Sequence, residues 1–218
     1  MHSFKGIFKS NLFYTGVRMR DSLSLYYQLI KKDSTGRIIK TYRKYKARSF
    51  VRQFLEIFVM QYGFIDETGN TIRDTSNTVR TWSWSGNWDN GWTYPFLNAP
   101  VNNTTYGSVV GSADTAVTIS DYALATKIAH GTGTGQLQYS VETFGAPTTD
   151  AAGSTWIASR VFTNGSGDSV TIKEIGLIVQ QYIDAYCYFL IARDVLASPV
   201  TLANGETVTL NYTFLTAV

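Results

Sequence analysis

The sequence predicts a mainly β protein: an antiparallel, jelly-roll-like β-sandwich in its C-terminal part, preceded by a β-hairpin and one helix. Three observations carry this reading. The chain is 44% hydrophobic but only 16% charged, and it is rich in Thr, Gly and Tyr with just four prolines, a composition that favours strands. Seven short apolar runs follow one another beyond residue 105, separated by turn residues. The last run alternates strictly, with Val208, Leu210, Tyr212 and Phe214 on one face and Thr207, Thr209, Asn211 and Thr213 on the other.

With 218 residues the chain has room for one large or two small domains. Aromatic residues outnumber its 19 Lys and Arg, which excludes a disordered, collagenous or coiled-coil chain. Cys187 is the single cysteine, so no intrachain disulfide or thiolate cluster can form. It sits in the apolar run 186–190 and reads as a small buried hydrophobe.

Residues 1–20 carry Phe4, Ile7, Phe8, Leu12, Phe13 and Tyr14 among Lys5, Lys9, Arg18 and Arg20 without a clear period. They read as an arm with apolar anchors, ordered by docking, and not as a secretion signal, because no apolar core or cleavage site is present. Leu23, Leu25, Tyr27 and Leu29 then alternate with Ser22, Ser24, Tyr26 and Gln28, as in a half-buried strand. Asp33 to Gly36 makes a turn, and Arg37 to Lys46 returns as a basic strand.

Arg48 to Tyr62 is the helix. Its polar positions Ser49, Arg52, Gln53 and Glu56 form one narrow stripe, and apolar residues cover the remaining girth. Ser49 is expected to cap it and Gly63 to end it. A helix this apolar must be covered on several sides, by the β-domain or by a neighbouring subunit.

Residues 64–100 look irregular, with Thr71 to Thr81 as one strand and Trp82, Trp84, Trp88 and Trp92 clustered among Gly, Asn and Ser. The strands expected beyond are 106–110, 116–119, 136–144, 156–162, 170–179, 186–193 and 207–215. No repeat of 20–50 residues is present, which excludes a solenoid or propeller. The resulting division is 1–63 as a basic arm, hairpin and helix, 64–105 as a Trp-rich connection, and 106–218 as the sandwich.

Charge follows this division. Residues 1–60 hold 13 Lys and Arg against 3 Asp and Glu, a net +10, and the rest of the chain carries −7. Complementary ends suit head-to-tail assembly. Residues 31–52, with Lys31, Lys32, Arg37, Lys40, Arg43, Lys44 and Lys46 interleaved with Tyr42 and Tyr45, also suit sequence-independent contact with nucleic acid or an acidic surface. A solvated hairpin face is the plain alternative.

Little in the sequence points to catalysis. The two histidines are His2 and His130. His130 with Asp121 can be imagined as part of a triad, but no nucleophile-elbow pattern accompanies it, and Asp66 with Glu67, or Asp89, could supply the paired carboxylates of a glycosidase, which nothing in the sequence favours. Gly131 to Gly135 lacks the Lys-Ser/Thr of a phosphate loop, and no calcium or other metal motif occurs. The residues call for no catalytic set, no metal and no cofactor. No apolar stretch is long enough to span a membrane.

The segments Val170-Thr-Ile-Lys-Glu-Ile-Gly-Leu177, Tyr188-Phe-Leu-Ile-Ala-Arg-Asp-Val195, Pro199-Val-Thr-Leu202 and Gly205-Glu-Thr-Val-Thr-Leu-Asn-Tyr-Thr213 together resemble β-sandwich structural proteins of tailed-bacteriophage virions. The resemblance spans about 50 residues and implies a non-enzymatic component of a capsid, neck, tail or fibre, assembled in the host cytoplasm. It implies partners among copies of itself and other virion proteins. In that setting Phe50, Phe54, Phe58, Arg43, Lys44 and Lys46 are the expected assembly residues, and Arg193 with Asp194 a structural pair. The alternative is a carbohydrate- or receptor-binding module that uses Trp82, Trp84, Trp88 and Trp92.

Overall fold

The structure, a computed structural model, describes residues 22–47, 50–63, 72–80, 95–183 and 185–217. In chain order its elements are β1 (Ser22–Lys32), β2 (Ile38–Thr41), β3 (Tyr45–Lys46), α1 (Arg52–Gly63), β4 (Ile72–Arg73), β5 (Val79–Arg80), β6 (Gly107–Gly111), β7 (Gln138–Tyr139), β8 (Thr143–Phe144), β9 (Thr148–Asp150), β10 (Gly153–Thr163), β11 (Val170–Tyr182), β12 (Tyr186–Leu202) and β13 (Thr207–Ala217). The architecture is mainly β, with antiparallel pairing throughout the three sheets.

The larger sheet runs β2-β1-β13-β10-β7, with β3 also on β1 and with β8 and β9 on β10. The smaller runs β12-β11-β6, and β4-β5 is a separate hairpin. Strand alternation sets the inner face of the large sheet. Leu29, Leu210 and Arg160 form one row across β1, β13 and β10, and Tyr27, Tyr212 and Ala158 form the next. All six are buried and, Arg160 aside, belong to one core with Ile172, Ile175, Leu177, Phe189 and Leu190 of the small sheet. The β1 pattern departs from the expected one at its start, where Leu23 is exposed and Ser24 buried.

The basic return strand is interrupted. It forms β2 and β3, both on β1, with Tyr42–Lys44 bulging between them. The turn before it follows expectation. The Asp33 carboxylate accepts the Thr35 and Arg37 N–H groups, and Gly36 takes the positive φ of 85°.

The helix starts at Arg52, four residues later than its pattern suggests, because the preceding residues pair with the edge of β12. Phe50 bridges Ala192, and the Val51 N–H donates to the Ile191 carbonyl at 3.2 Å. The first helical N–H groups are then satisfied by backbone: Arg52 N–H donates to Ile119 O and Phe54 N–H to Val51 O. The expected cap Ser49 lies outside the described residues. The polar stripe is also corrected, since Gln53 is only 3% exposed while Leu55 is 62% exposed.

Two further expectations change. Thr71 to Thr81 contains a hairpin rather than one strand. The Asp74 carboxylate accepts the Ser76 and Thr78 N–H groups, and Asn77 adopts a left-handed φ of 64°. Residues 116–119 form no strand, and 136–144 yields the two short strands β7 and β8. The β4–β5 hairpin also covers the β12 edge, through Thr75 N–H to Tyr188 O at 2.8 Å. On the opposite side of that sheet, Ile128 N–H and Ser112 N–H tie the 124–128 segment to β6 through Val110 O and Thr126 O. Both edges of the small sheet are thereby blunted.

Candidate functional site

Two buried arginines fix the loops around the sandwich. Arg193, on β12, donates Nε–H to Glu174 Oε2 at 2.8 Å, Nη1–H to Asp121 Oδ2 at 2.6 Å and Nη2–H to Thr115 O at 2.9 Å. Glu174, on β11, also accepts the Ala125 and Thr126 N–H groups at 3.1 and 2.7 Å. One ionic centre thus holds the 115–126 loop against the small sheet. Asp194 is not the partner of Arg193. Neighbouring residues on a strand face opposite ways, and Asp194 is buried near Tyr212, whose hydroxyl its charge helps keep protonated after burial itself.

Arg160 is wholly buried on β10 and gives all five of its hydrogen bonds to carbonyl oxygens, those of Pro100, Asn103, Tyr106, Ser108 and Ser140. Its guanidinium lies 5.0 Å from the centre of the Tyr139 ring. Glu142 supplies the compensating charge nearby and accepts the Ser108 N–H and hydroxyl at 2.7 and 2.8 Å. Burial raises the Glu142 carboxyl above its ordinary range.

The ionic surface groups lean the other way. Asp33 is held down to about 2, chiefly by the Thr35 hydroxyl. Burial pushes Asp121 up, but Thr118 and Arg193 outweigh it and leave the carboxyl lowered. Glu206 is likewise lowered by Lys31 and the Ala203 N–H against the effect of burial. A carboxyl with a lowered folded pKa stabilises the fold above its unfolded value, and that stability is lost as pH falls through the folded one; Glu142 acts with the opposite sign. With Asp114, lowered by its hydrogen bond from Lys173, four lowered carboxyls against one raised predict that the melting temperature falls between about pH 4 and pH 2. Asp121→Asn should flatten part of that fall. A melting temperature that stays level across the range would refute the assignment.

The basic edge is the most distinctive surface. Lys31 pairs with Glu206 at 2.6 Å and Arg37 with Asp33 at 3.1 Å. Among the described residues, Lys40, Arg43, Lys44 and Lys46 enter no ion pair, and all four are exposed. The break between β2 and β3 is pinned by Tyr42 N–H to Leu29 O at 2.9 Å and by the Gln28 amide to Tyr42 O at 3.1 Å. It opens a cleft of about 200 Å³. Lys40, Arg43, Tyr42 and Tyr45 line it with Leu29 and Leu196. Lys40 Nζ stands 4.4 Å over the Tyr42 ring, and Tyr45 stacks on Tyr27 at 5.6 Å. Tyr45 lies opposite Tyr27 and Lys46 opposite Tyr26, so Lys46 projects to the outer side of the same edge.

The other expected assembly residues fall on α1 and its approach. Phe50 and Phe54 stack at 3.9 Å, and Phe58 continues the row at 6.4 Å from Phe54. Phe50 and Phe54 pack against the core, whereas Phe58 is 46% exposed. Arg52 pairs with Glu56 on the helix surface. The four tryptophans Trp82, Trp84, Trp88 and Trp92 lie outside the described residues. His130 and Asp121 are engaged separately: His130 Nδ1 accepts the Tyr139 N–H at 3.2 Å, while Asp121 serves Thr118 and Arg193.

Sequence reading names the cations and tyrosines of the edge but not the cleft, because Leu196, Ala197 and Ser198 reach it from a strand more than 150 residues away. Among the described residues no cluster of His, Cys, Asp and Glu is suited to a metal, and no helix is long and apolar enough to cross a membrane. No protein-family model, curated protein or solved structure matches the chain.

Proposed function

We propose that this chain is a non-enzymatic structural component of a bacteriophage virion, assembled in the host cytoplasm, which joins copies of itself or other virion proteins through its N-terminal region. The observation that carries the reading is the outer face of α1. The helix buries Ile57 and Gln53, yet displays Leu55 and Phe58 on its surface. An exposed Leu and Phe one turn apart on the same helix fit the apolar centre of an interface. The buried ionic groups support the same reading, because Arg193, Glu174, Arg160 and Glu142 spend their hydrogen bonds on holding loops and strands. The resemblance of the β11, β12 and β13 segments to virion sandwiches agrees with both.

Light scattering behind size exclusion tests it. The full chain is expected to form defined oligomers. Leu55→Glu with Phe58→Glu is expected to shift it to monomers without changing its circular dichroism. A full chain that remains monomeric at high concentration overturns self-assembly.

A further inference from the structure

We propose that the cleft between β2, β3 and β12, with the cations beside it, is a binding site for single-stranded nucleic acid, held by its phosphates and by a stacked base without sequence preference. It is independent of the assembly reading, which rests on α1.

Charge complementarity selects an anionic partner. Lys40, Arg43, Lys44 and Lys46 stand along one edge with no carboxylate paired to them among the described residues, whereas Lys31 and Arg37 on the same hairpin are neutralised. Such an uncompensated row attracts a polyanion and releases its counterions.

The cleft decides which polyanion. The exposed Lys40 and Arg43, the aromatic Tyr42 and Tyr45 and the buried, apolar Leu29 and Leu196 all line it. An acidic protein surface would use the cations and leave the aromatic rings idle. A duplex keeps its bases stacked inside and presents phosphates alone. A single strand offers phosphates and free π faces together, the combination that pairs a basic track with aromatic platforms. The rings are preorganised, with Tyr45 stacked on the buried Tyr27 and Lys40 set over Tyr42. Little side-chain entropy is therefore lost on binding. A volume of about 200 Å³ admits one planar base while its neighbours remain outside. Lys44, 5.3 Å over the Tyr26 ring, and Lys46 opposite Tyr26 extend the cationic track around the outer side of the edge.

Fluorescence anisotropy of the full chain with a labelled oligothymidylate of roughly 20 nucleotides tests this. Binding should weaken with salt, with a slope of log affinity against log salt near about −3 for four phosphate contacts. Replacing Lys40, Arg43, Lys44 and Lys46 together by Gln should bring the slope close to zero. Should that variant not fold by circular dichroism, Lys44→Gln with Lys46→Gln should halve the slope. Tyr45→Leu should lower affinity roughly five-fold or more while leaving the slope unchanged. The proposal is overturned by absence of binding at low salt, or by an unchanged affinity in Tyr45→Leu. It is equally overturned if a duplex of the same length binds as tightly, or if polyglutamate of matched charge competes as well, which would assign the edge to an acidic protein surface.

Discussion

Deleting residues 1–62 is expected to give insoluble or unfolded protein rather than a stable C-terminal module. β1 lies inside the large sheet, between β2 and β13, and pairs with β13 from Ser22–Ala217 to Lys32–Thr207. Its loss removes Leu25, Tyr27 and Leu29 from the core. Burial of a Leu alone contributes about 1.5–3 kcal/mol, and a whole domain is stable by only about 5–15 kcal/mol. The deletion also bares the full length of β13 as a free edge, a template for aggregation. Recovery of a soluble 63–218 fragment with a cooperative melt would show that the sheet does not need β1. For the same reason, the assembly test relies on point changes in α1.

Replacing Arg193 by Met is expected to cost about 3–5 kcal/mol, because Glu174 is left charged and fully buried without its partner. Asp121 loses its ion pair and Thr115 O a donor in the same step, so the 115–126 loop should loosen as well. Urea unfolding measures the first effect, and amide exchange at Ala125 and Thr126 measures the second. A loss below about 1 kcal/mol would mean that water or a rearranged neighbour compensates Glu174. Changing Glu174 and Arg193 together to apolar residues should cost less than the single change, since the fully buried Glu174 charge is removed with its partner and only the partly exposed Asp121 is left unpaired.

This ion pair links the facing strands β11 and β12. Glu174 comes from Glu-Ile-Gly-Leu and Arg193 from Ala-Arg-Asp-Val, and the β11–β12 register places Gly176 opposite Arg193. Gly176 itself is hemmed in by the Leu124 side chain, against which any Cβ would collide. The sequence displays both segments as strands. It does not display their pairing, because that depends on a register set by side chains of both sheets.

Much of the fold was legible for a simple reason: alternation is a local signal. Val208, Leu210 and Tyr212 are all inside, as their spacing requires. The misses share a different cause. Phe50 and Val51 have helical neighbours, but the open edge of β12 draws them into extended pairing. Gln53 is polar by type and buried by position. Arg160 sits on the inward face of β10 between the apolar Ala158 and Phe162, and only the five carbonyls converging on it make that position tenable. At the candidate site the cations and tyrosines of the hairpin could be read directly, whereas the cleft wall from β12 could not.

The pairing of β1 with β13 also sets a timetable. Ser22 finds its partner at Ala217 and Lys32 at Thr207, so β1 can pair early with β2 and β3 on one side, but its other side waits until nearly the whole described chain has left the ribosome. The core cannot close stepwise from the N-terminus, and the contacts that complete it are among the most distant in sequence. Folding should therefore be late and comparatively slow, as in other domains dominated by long-range β pairing. Until β13 arrives, Leu25, Tyr27 and Leu29 stay open to whatever lies nearby, including the same strand on another nascent copy.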